Sequence, residues 1–397
     1  MAHPDQTLAF AAKGYAWLPD LRRRRHGRPV ETRIGGQRAV AISGPDAARF
    51  FYGEASLERH DALPPTVVAT LFGPGVHTLD GEAHRARKAL FVALLMDADG
   101  IDTLAKLTGE VFDEAVAARR GTGEFSIFDE SASVLAEAVA RWTGVPREDR
   151  DARDLVAMVD GFASAGPRFA RALAARRRQE RRFSQIIDSV RRDDPTSEPI
   201  SVVAHHLEDG YLLDARTAAV ELINIIRPTT AVAWFVAFAT HALDRWPGTR
   251  ARLRAGDDDY TKAFVHEVRR FYPFAPFLGA RATRDMVFQR AEIPKGALVL
   301  LDVYGQHHDP RVWPEPYEFR PERFLGRPVG EFELIPQGGG DPRTGHRCPG
   351  EKITIALLGT LVQRLAKLDY YLPPQNAKID LSRVPARPAS GPRIVIP

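Results

Sequence analysis

The sequence predicts a mostly helical α+β fold, and three patterns carry that prediction. Between Gly81 and about Leu243, segment after segment places apolar residues three and four apart, the period of a helix with one buried face. On either side, "ETRIGGQRAVAIS" and "MVFQRAEIPKGALVLLDVYGQHHDP" break into short apolar runs bounded by turn residues, as small sheets do. A last helical stretch, "EKITIALLGTLVQRLAKL", directly follows a glycine-rich loop.

Residues 1–70 read as a β-rich amino-terminal region, and 71–397 as a helical body packed with it into one unit, since nothing in the punctuation divides the chain. Within the body, "HRARKALFVALLM", "IDTLAKLTGEVFDEAVAARR", "SASVLAEAVARWTG" and "ARRRQERRFSQIIDSVRR" are helices. "DYTKAFVHEVRRFYP" is another, ended by Pro273, and the Pro-Lys-Gly turn after it predicts a hairpin.

With 44% hydrophobic and 27% charged residues, the 397-residue chain can bury a large core under a soluble surface. The net charge is +4, with Arg runs at Arg22 to Arg25 and Arg176 to Arg182. Neither run carries interleaved aromatics or a recognition motif, so both read as solvated helix faces and nucleic acid is not an expected partner. The amino terminus lacks a basic start followed by a long apolar segment, which predicts no signal peptide, no membrane anchor and a cytoplasmic location. Glu221 to Leu243 is long enough to cross a bilayer, but Glu221, Asn224, Arg227 and His241 make insertion costly; a buried soluble helix is expected.

Cys348 is the one cysteine, so no intrachain disulfide forms. It sits between the glycine-rich loop and a helix that begins near Pro349, where the helix terminus and loop N–H groups are expected to lower its pKa. A thiolate so placed is a metal ligand or a nucleophile; an inert buried cysteine is the plain alternative.

The loop "PQGGGDPRTGHRCPG", the helical "EVRR" of Glu267 to Arg270 and "RPERF" of Arg320 to Phe324 together resemble the haem-thiolate cytochrome P-450 superfamily. An isolated Glu and Arg three apart mean little, being commonly a surface pair; in this order and spacing the three motifs are specific. The resemblance implies a helical body with small sheets, and a haem b between a long distal helix and the cysteine loop. It makes Cys348 the axial ligand of the haem iron, whose thiolate favours O–O cleavage. It further implies that Glu267, Arg270 and Arg323 form a buried network behind the loop, and that His346, His84, Lys88 and Arg59 lie near the haem propionates.

Asp341 stands where the superfamily's usual loop has a Phe, and this departure points to bacterial fatty acid hydroxylases and decarboxylases that use hydrogen peroxide. "TLFGPGVHTLDGEAHRARKALF", "ELINIIRP" and "EVRRFYPFAPFLGAR" share that likeness, which runs from about Phe51 to the carboxyl terminus. The distal stretch "IIRPTT" has no acid before its threonines, so the usual proton delivery to dioxygen is missing.

A lone Arg227 in a dry helix demands an anion, either an internal acid such as Glu221 or Glu267 or a ligand carboxylate held by the guanidinium fork. Pro228 beside it removes a backbone donor and bends the helix. The resemblance favours the ligand: a long-chain fatty acid clamped by Arg227, its carboxylate serving as general acid and base, with no redox partner required. His77 matches a position that holds Gln in many hydroxylating relatives and His in decarboxylating ones. Phe72, Phe274 and Phe277 are expected to line the acyl channel, although each alone is as readily plain core. Expected outcomes are α or β hydroxylation and decarboxylation to terminal alkenes. The alternatives are a conventional redox-partner-dependent monooxygenase and a non-catalytic haem or fatty acid binding protein.

Overall fold

The computed structural model describes residues 4–397. A five-stranded sheet lies at one edge of the molecule. Its strands are β1 (Val30–Ile34), β2 (Gln37–Ile42), β3 (Leu57–Glu58), β4 (Phe277–Ala282) and β5 (Leu298–Asp302), in the order β1-β2-β5-β4-β3. Gly35 and Gly36, at φ 58° and 75°, supply the left-handed pair that closes the β1–β2 hairpin. β5 then runs parallel to β2, with Leu298 beside Ala39, and antiparallel to β4, with Leu298 beside Arg281. Two of the three inner strands, β4 and β5, therefore come from much later in the chain than β2. β-rich is too narrow a label for residues 1–70, because Thr7–Lys13, Trp17–Arg23 and Pro45–Gly53 are helical there; such short helices leave little periodicity to read.

The body is helical as expected. Those used below are α1 (Gly81–Leu95), α2 (Pro167–Val190), α3 (Ala215–Thr230), α4 (Val232–Arg245), α5 (Asp258–Phe271) and α6 (Glu351–Lys367). α3 and α4 occupy the centre of the main core: Val220, Leu222, Ile223, Trp234, Val236 and Phe238 are all fully buried. The pair spans Ala215–Arg245; its most apolar 18-residue window has mean hydropathy 1.5 and is 94% buried, so protein rather than lipid surrounds it. The chain bends at Ala231, where the Trp234 N–H turns to the Ala231 carbonyl at 3.1 Å.

Two local readings change. The predicted Pro-Lys-Gly hairpin forms instead around Gln289 and Arg290, at φ 47° and 67°, pairing Met286–Phe288 with Ala291–Ile293. Met286 and Phe288 are buried together by that register, and the later turn hands the chain to β5. The Arg runs are not wholly solvated either. Arg22 is buried against Asp302 at 3.2 Å, and Arg176 is only 1% exposed, because each lies on the core side of its helix.

Candidate functional site

Two elements hold the cysteine loop in place. The Cys348 N–H donates to the Gln337 carbonyl at 3.0 Å, and α5 supplies Arg269, which donates to the Gln337 side chain at 3.2 Å and also pairs with Glu351 at the head of α6. Arg347 donates to the other oxygen of Glu351 at 2.8 Å. A side chain at Gly338, φ 93°, would meet the Tyr52 hydroxyl at 2.5 Å, so this turn requires glycine for conformation and for space. Sequence reasoning named Glu267 and Arg270 but passed over Arg269, the middle residue of the same motif. Its signal was position alone: it lies one residue from the paired face, yet is 1% exposed.

Behind the loop, Glu267 and Arg270 form a two-point pair, both contacts at 2.7 Å, with neither side chain exposed. The Arg320 N–H and Arg323 Nε both reach Glu267 Oε1, at 2.7 and 3.2 Å, and Arg270 Nη1 satisfies the carbonyls of His307 and Pro316. This network joins the two motifs and has no group facing the site.

Beside the loop stands a cluster of basic side chains. Lys88 on α1 donates to the carbonyls of Gly345 and Arg347 at 2.9 and 2.7 Å. The His84 and His346 rings stack 4.0 Å apart, and His346 Nε2 meets Asp80 Oδ1 at 3.0 Å. Arg59 is buried against the Phe51 ring, its guanidinium 4.2 Å from the centroid, while its N–H donates to Asp80. Burial, then the neighbouring His346 and Lys88 charges, hold His84 at a pKa of about 3, and burial alone lowers Lys88 to about 8. Asp80, which sequence reasoning missed, is the single carboxylate organising this group; only its place in "TLDGEAHRARK" hinted at it.

On α3 lies Arg227, 5% exposed. Neither internal acid answers it. Glu221 is fully buried and taken by Arg87 Nη1 at 2.7 Å, the Val76 N–H at 2.8 Å and Asn224 Nδ2 at 3.1 Å. Glu267 belongs to the network just described. Arg227 is left with Asn224 Oδ1 at 3.5 Å and the Phe72 ring at 5.5 Å, and its Nε has no partner. Burial, then the charge of Arg176, lowers its pKa to about 9, which keeps it cationic at neutral pH.

Pro228 follows in the helix and has no N–H to return to the Asn224 carbonyl. Thr229 and Thr230 spend their hydroxyls on the carbonyls of Ile225 and Ile226, at 3.0 and 3.2 Å, so neither stands ready as a proton-delivering alcohol.

A short loop brings Phe72 and His77 to the same place. The Gly73 N–H reaches back to the Val68 carbonyl at 2.8 Å, one wide turn of π-helix, and the loop then doubles back. The Phe72 and His77 rings lie 4.3 Å apart, and buried His77 Nδ1 has no partner. Burial, then the Arg227 charge, holds the His77 pKa well below its ordinary value, so the imidazole is neutral. Arg176 on α2 clamps the loop through the Leu71 carbonyl at 2.8 Å, a role its place in a basic run concealed.

The remaining expectations divide. Phe274 packs on Phe235 at 5.0 Å within the same core cluster as Phe72. Phe277 does not join them: on β4 its ring faces Phe10 and Trp17, 5.3 and 5.8 Å away, because strand alternation sends it to the amino-terminal cluster. The expected fall in the Cys348 pKa is also corrected. Burial of the thiol pushes it up, outweighing the Gly350 N–H, because α6 begins only at Glu351.

The residues fit a haem: a free thiol on a pinned loop, a cluster of basic side chains packed against that loop, and orphaned polar atoms on Arg227 and His77. That layout suits a haem-thiolate protein, and comparison with known proteins places the chain among them. The cytochrome P450 family profile matches residues 258–376. Cytochrome P450SP alpha in complex with (R)-ibuprophen is 38% identical with a TM-score of 0.95, over 99% of this chain and 98% of that one. Cytochrome P450EX alpha with myristic acid is 34% identical with a TM-score of 0.94, over 100% and 97%. A variant of cytochrome P450 OleT in complex with arachidonic acid is 35% identical with a TM-score of 0.94, over 98% and 96%. Cytochrome P450 71A8 of Mentha piperita is 38% identical over 152 residues, and this match spans 29% of its length. The chain belongs to the cytochrome P450 family, and its fold is that of the fatty-acid-bound members.

Proposed function

We propose that this protein is a fatty acid peroxygenase that uses hydrogen peroxide to hydroxylate long-chain acids at the α or β carbon, or to decarboxylate them to terminal alkenes. One observation carries the reading: Arg227 is a buried guanidinium with every internal carboxylate assigned elsewhere. The myristic and arachidonic acid complexes of similar proteins support an acyl carboxylate as the missing anion.

Haem held by Cys348, with Arg59, His84, Lys88 and His346 near its propionates, would supply the iron at which peroxide is activated and the substrate oxidised. Arg227 binds the carboxylate through its fork and so holds Cα and Cβ nearest the reacting centre. The carboxylate, fixed there, takes and returns the proton that peroxide cleavage requires. Neutral His77 lies in the same pocket and relays or donates a proton near Cβ, and Phe72 walls the clamp from water. With Thr229 and Thr230 bonded into their own helix, the chain offers no acid and alcohol of its own for this step, and the reading needs no redox partner. The burial of α3 and α4 supports an enzyme that works in water, without an anchor.

The test is to incubate the haem-loaded protein with C12 to C18 acids and peroxide, without reductant, and identify products by mass spectrometry. Hydroxy acids or alkenes are expected. Products only with ferredoxin and reductant would establish a conventional monooxygenase, and none under either condition a binding protein.

A further inference from the structure

We infer that Asn224 is the positioning residue of the carboxylate clamp, aiming the Arg227 guanidinium without cancelling its charge. This rests on the reading of Arg227 as the fatty acid site.

The argument starts from the orientation of one amide. Asn224 is 3% exposed and its Nδ2 donates to two acceptors, the Phe72 carbonyl at 3.0 Å and Glu221 Oε2 at 3.1 Å. Both are oxygens without a proton to give, so the amide has one allowed orientation, and Oδ1 must point to Arg227, 3.5 Å away. An acid at 224 would place a carboxylate against Glu221 and neutralise Arg227 internally. An apolar residue would strip Glu221 Oε2 of its donor and leave the Phe72 carbonyl to Arg176 Nη2 alone, at 3.4 Å. Only a side chain with a donor on one side and an uncharged acceptor on the other satisfies all three neighbours.

Glu221 can hold this amide because its own charge is already answered. Arg87 reaches it from α1 and pairs through its remaining nitrogens with Glu208 at the mouth of a small hairpin, Nη2 to Oε2 being 2.8 Å. The row Glu208, Arg87, Glu221, Asn224, Arg227 therefore holds two carboxylates and two guanidinium groups, yet Arg87 meets both carboxylates and Arg227 meets neither. The same amide also ties Arg227 to the Phe72 loop. A side chain on Gly75 would come within 2.9 Å of Asn224 Nδ2 and 2.8 Å of Glu221 Oε2, so the loop packs directly on this pair.

The experiment compares binding of a fatty acid with that of the fatty alcohol of equal chain length in the haem-loaded enzyme, by equilibrium titration. The readout is the ratio of the two affinities. In Asn224→Ala the acid should lose at least about fivefold relative to the alcohol, the scale of one ordinary hydrogen bond. In an Arg227→Ala background the same change should leave the ratio within twofold. Asn224→Ser, which keeps a donor for Glu221, should lie between native and Ala. A native ratio in Asn224→Ala would overturn the proposal, as would equal weakening of acid and alcohol, which marks a role in the fold alone. Failure of both variants to fold and load haem would also assign Asn224 to the fold. If instead Arg227→Ala binds acid as the native enzyme does, the fatty acid reading itself falls, and the two failures are told apart.

Discussion

Arg87 and Glu221 form an ion pair at 2.7 Å inside the protein, and that pair answers the one acid on the helix that carries Arg227. Glu221 lies on the same helix, six residues before Arg227 and off its face. Arg87, 134 residues away, takes it first. The consequences are measurable.

As the proposed carboxylate clamp, Arg227 should stabilise the ligand complex and destabilise the ligand-free fold. Replacing it with Met should raise the melting temperature of the acid-free protein, removing an unpaired buried charge worth about 1–4 kcal/mol. The same variant should lose about a hundredfold in kcat/KM for long-chain acids, the scale of a truncated buried charge pair. Arg227→Ala should regain part of its peroxide-driven turnover on substrates without a carboxylate when a short carboxylic acid is added. Calorimetry and steady-state kinetics check the two halves, and a stability loss in Arg227→Met contradicts the first.

Breaking the competing pair should act in the opposite sense. Arg87→Met leaves Glu221 charged and buried, at a cost of about 3–5 kcal/mol read from denaturant unfolding. The freed carboxylate then turns on Arg227, and acid binding should weaken although residue 87 touches no ligand. Unchanged stability would show that the pair is not the anchor described.

The half-buried His77 imidazole is held well below its ordinary pKa by desolvation and then the Arg227 charge, so the unfolded chain binds its proton more readily. A depressed folded pKa means stability that is present above the unfolded value near 6.5 and lost as pH falls below it. His77→Gln should remove up to about 1.4 kcal/mol of that loss per pH unit below 6.5. The gap between native and variant melting temperatures should therefore shift in the variant's favour from pH 7 to pH 5. The variant's ratio of alkene to hydroxy acid should also differ from native, and an identical product profile would remove His77 from the chemistry.

Glu267→Gln leaves Arg270 and Arg323 facing a neutral amide in a site with no water-exposed side chain. Stability should drop by about 3–5 kcal/mol with weakened haem retention, measured by thermal melting and by the haem absorbance after gel filtration. Cys348→Ala should fold but lose the red-shifted carbon monoxide band of the reduced haem protein; an intact band would exclude Cys348 as the ligand.

Arg227 and Cys348 were legible in the sequence because each is chemically out of place: a cation in an apolar helix, and a lone thiol after a glycine loop. Asn224, Arg176 and Arg269 were not, because a polar residue on a helix reads by default as outward-facing. All three are nine-tenths or more buried. Phe277 shows the reverse error, an aromatic near the motif that belongs to another cluster.

The sequence by itself determined the helical class, the motifs of the cysteine loop and the presence of a charge needing an anion, since these follow from local period and residue chemistry. Only the tertiary structure decided that the anion is not internal. Charge pairing in a dry core is a competition among groups far apart in the chain, and its outcome depends on which of them the packing brings within about 3 Å.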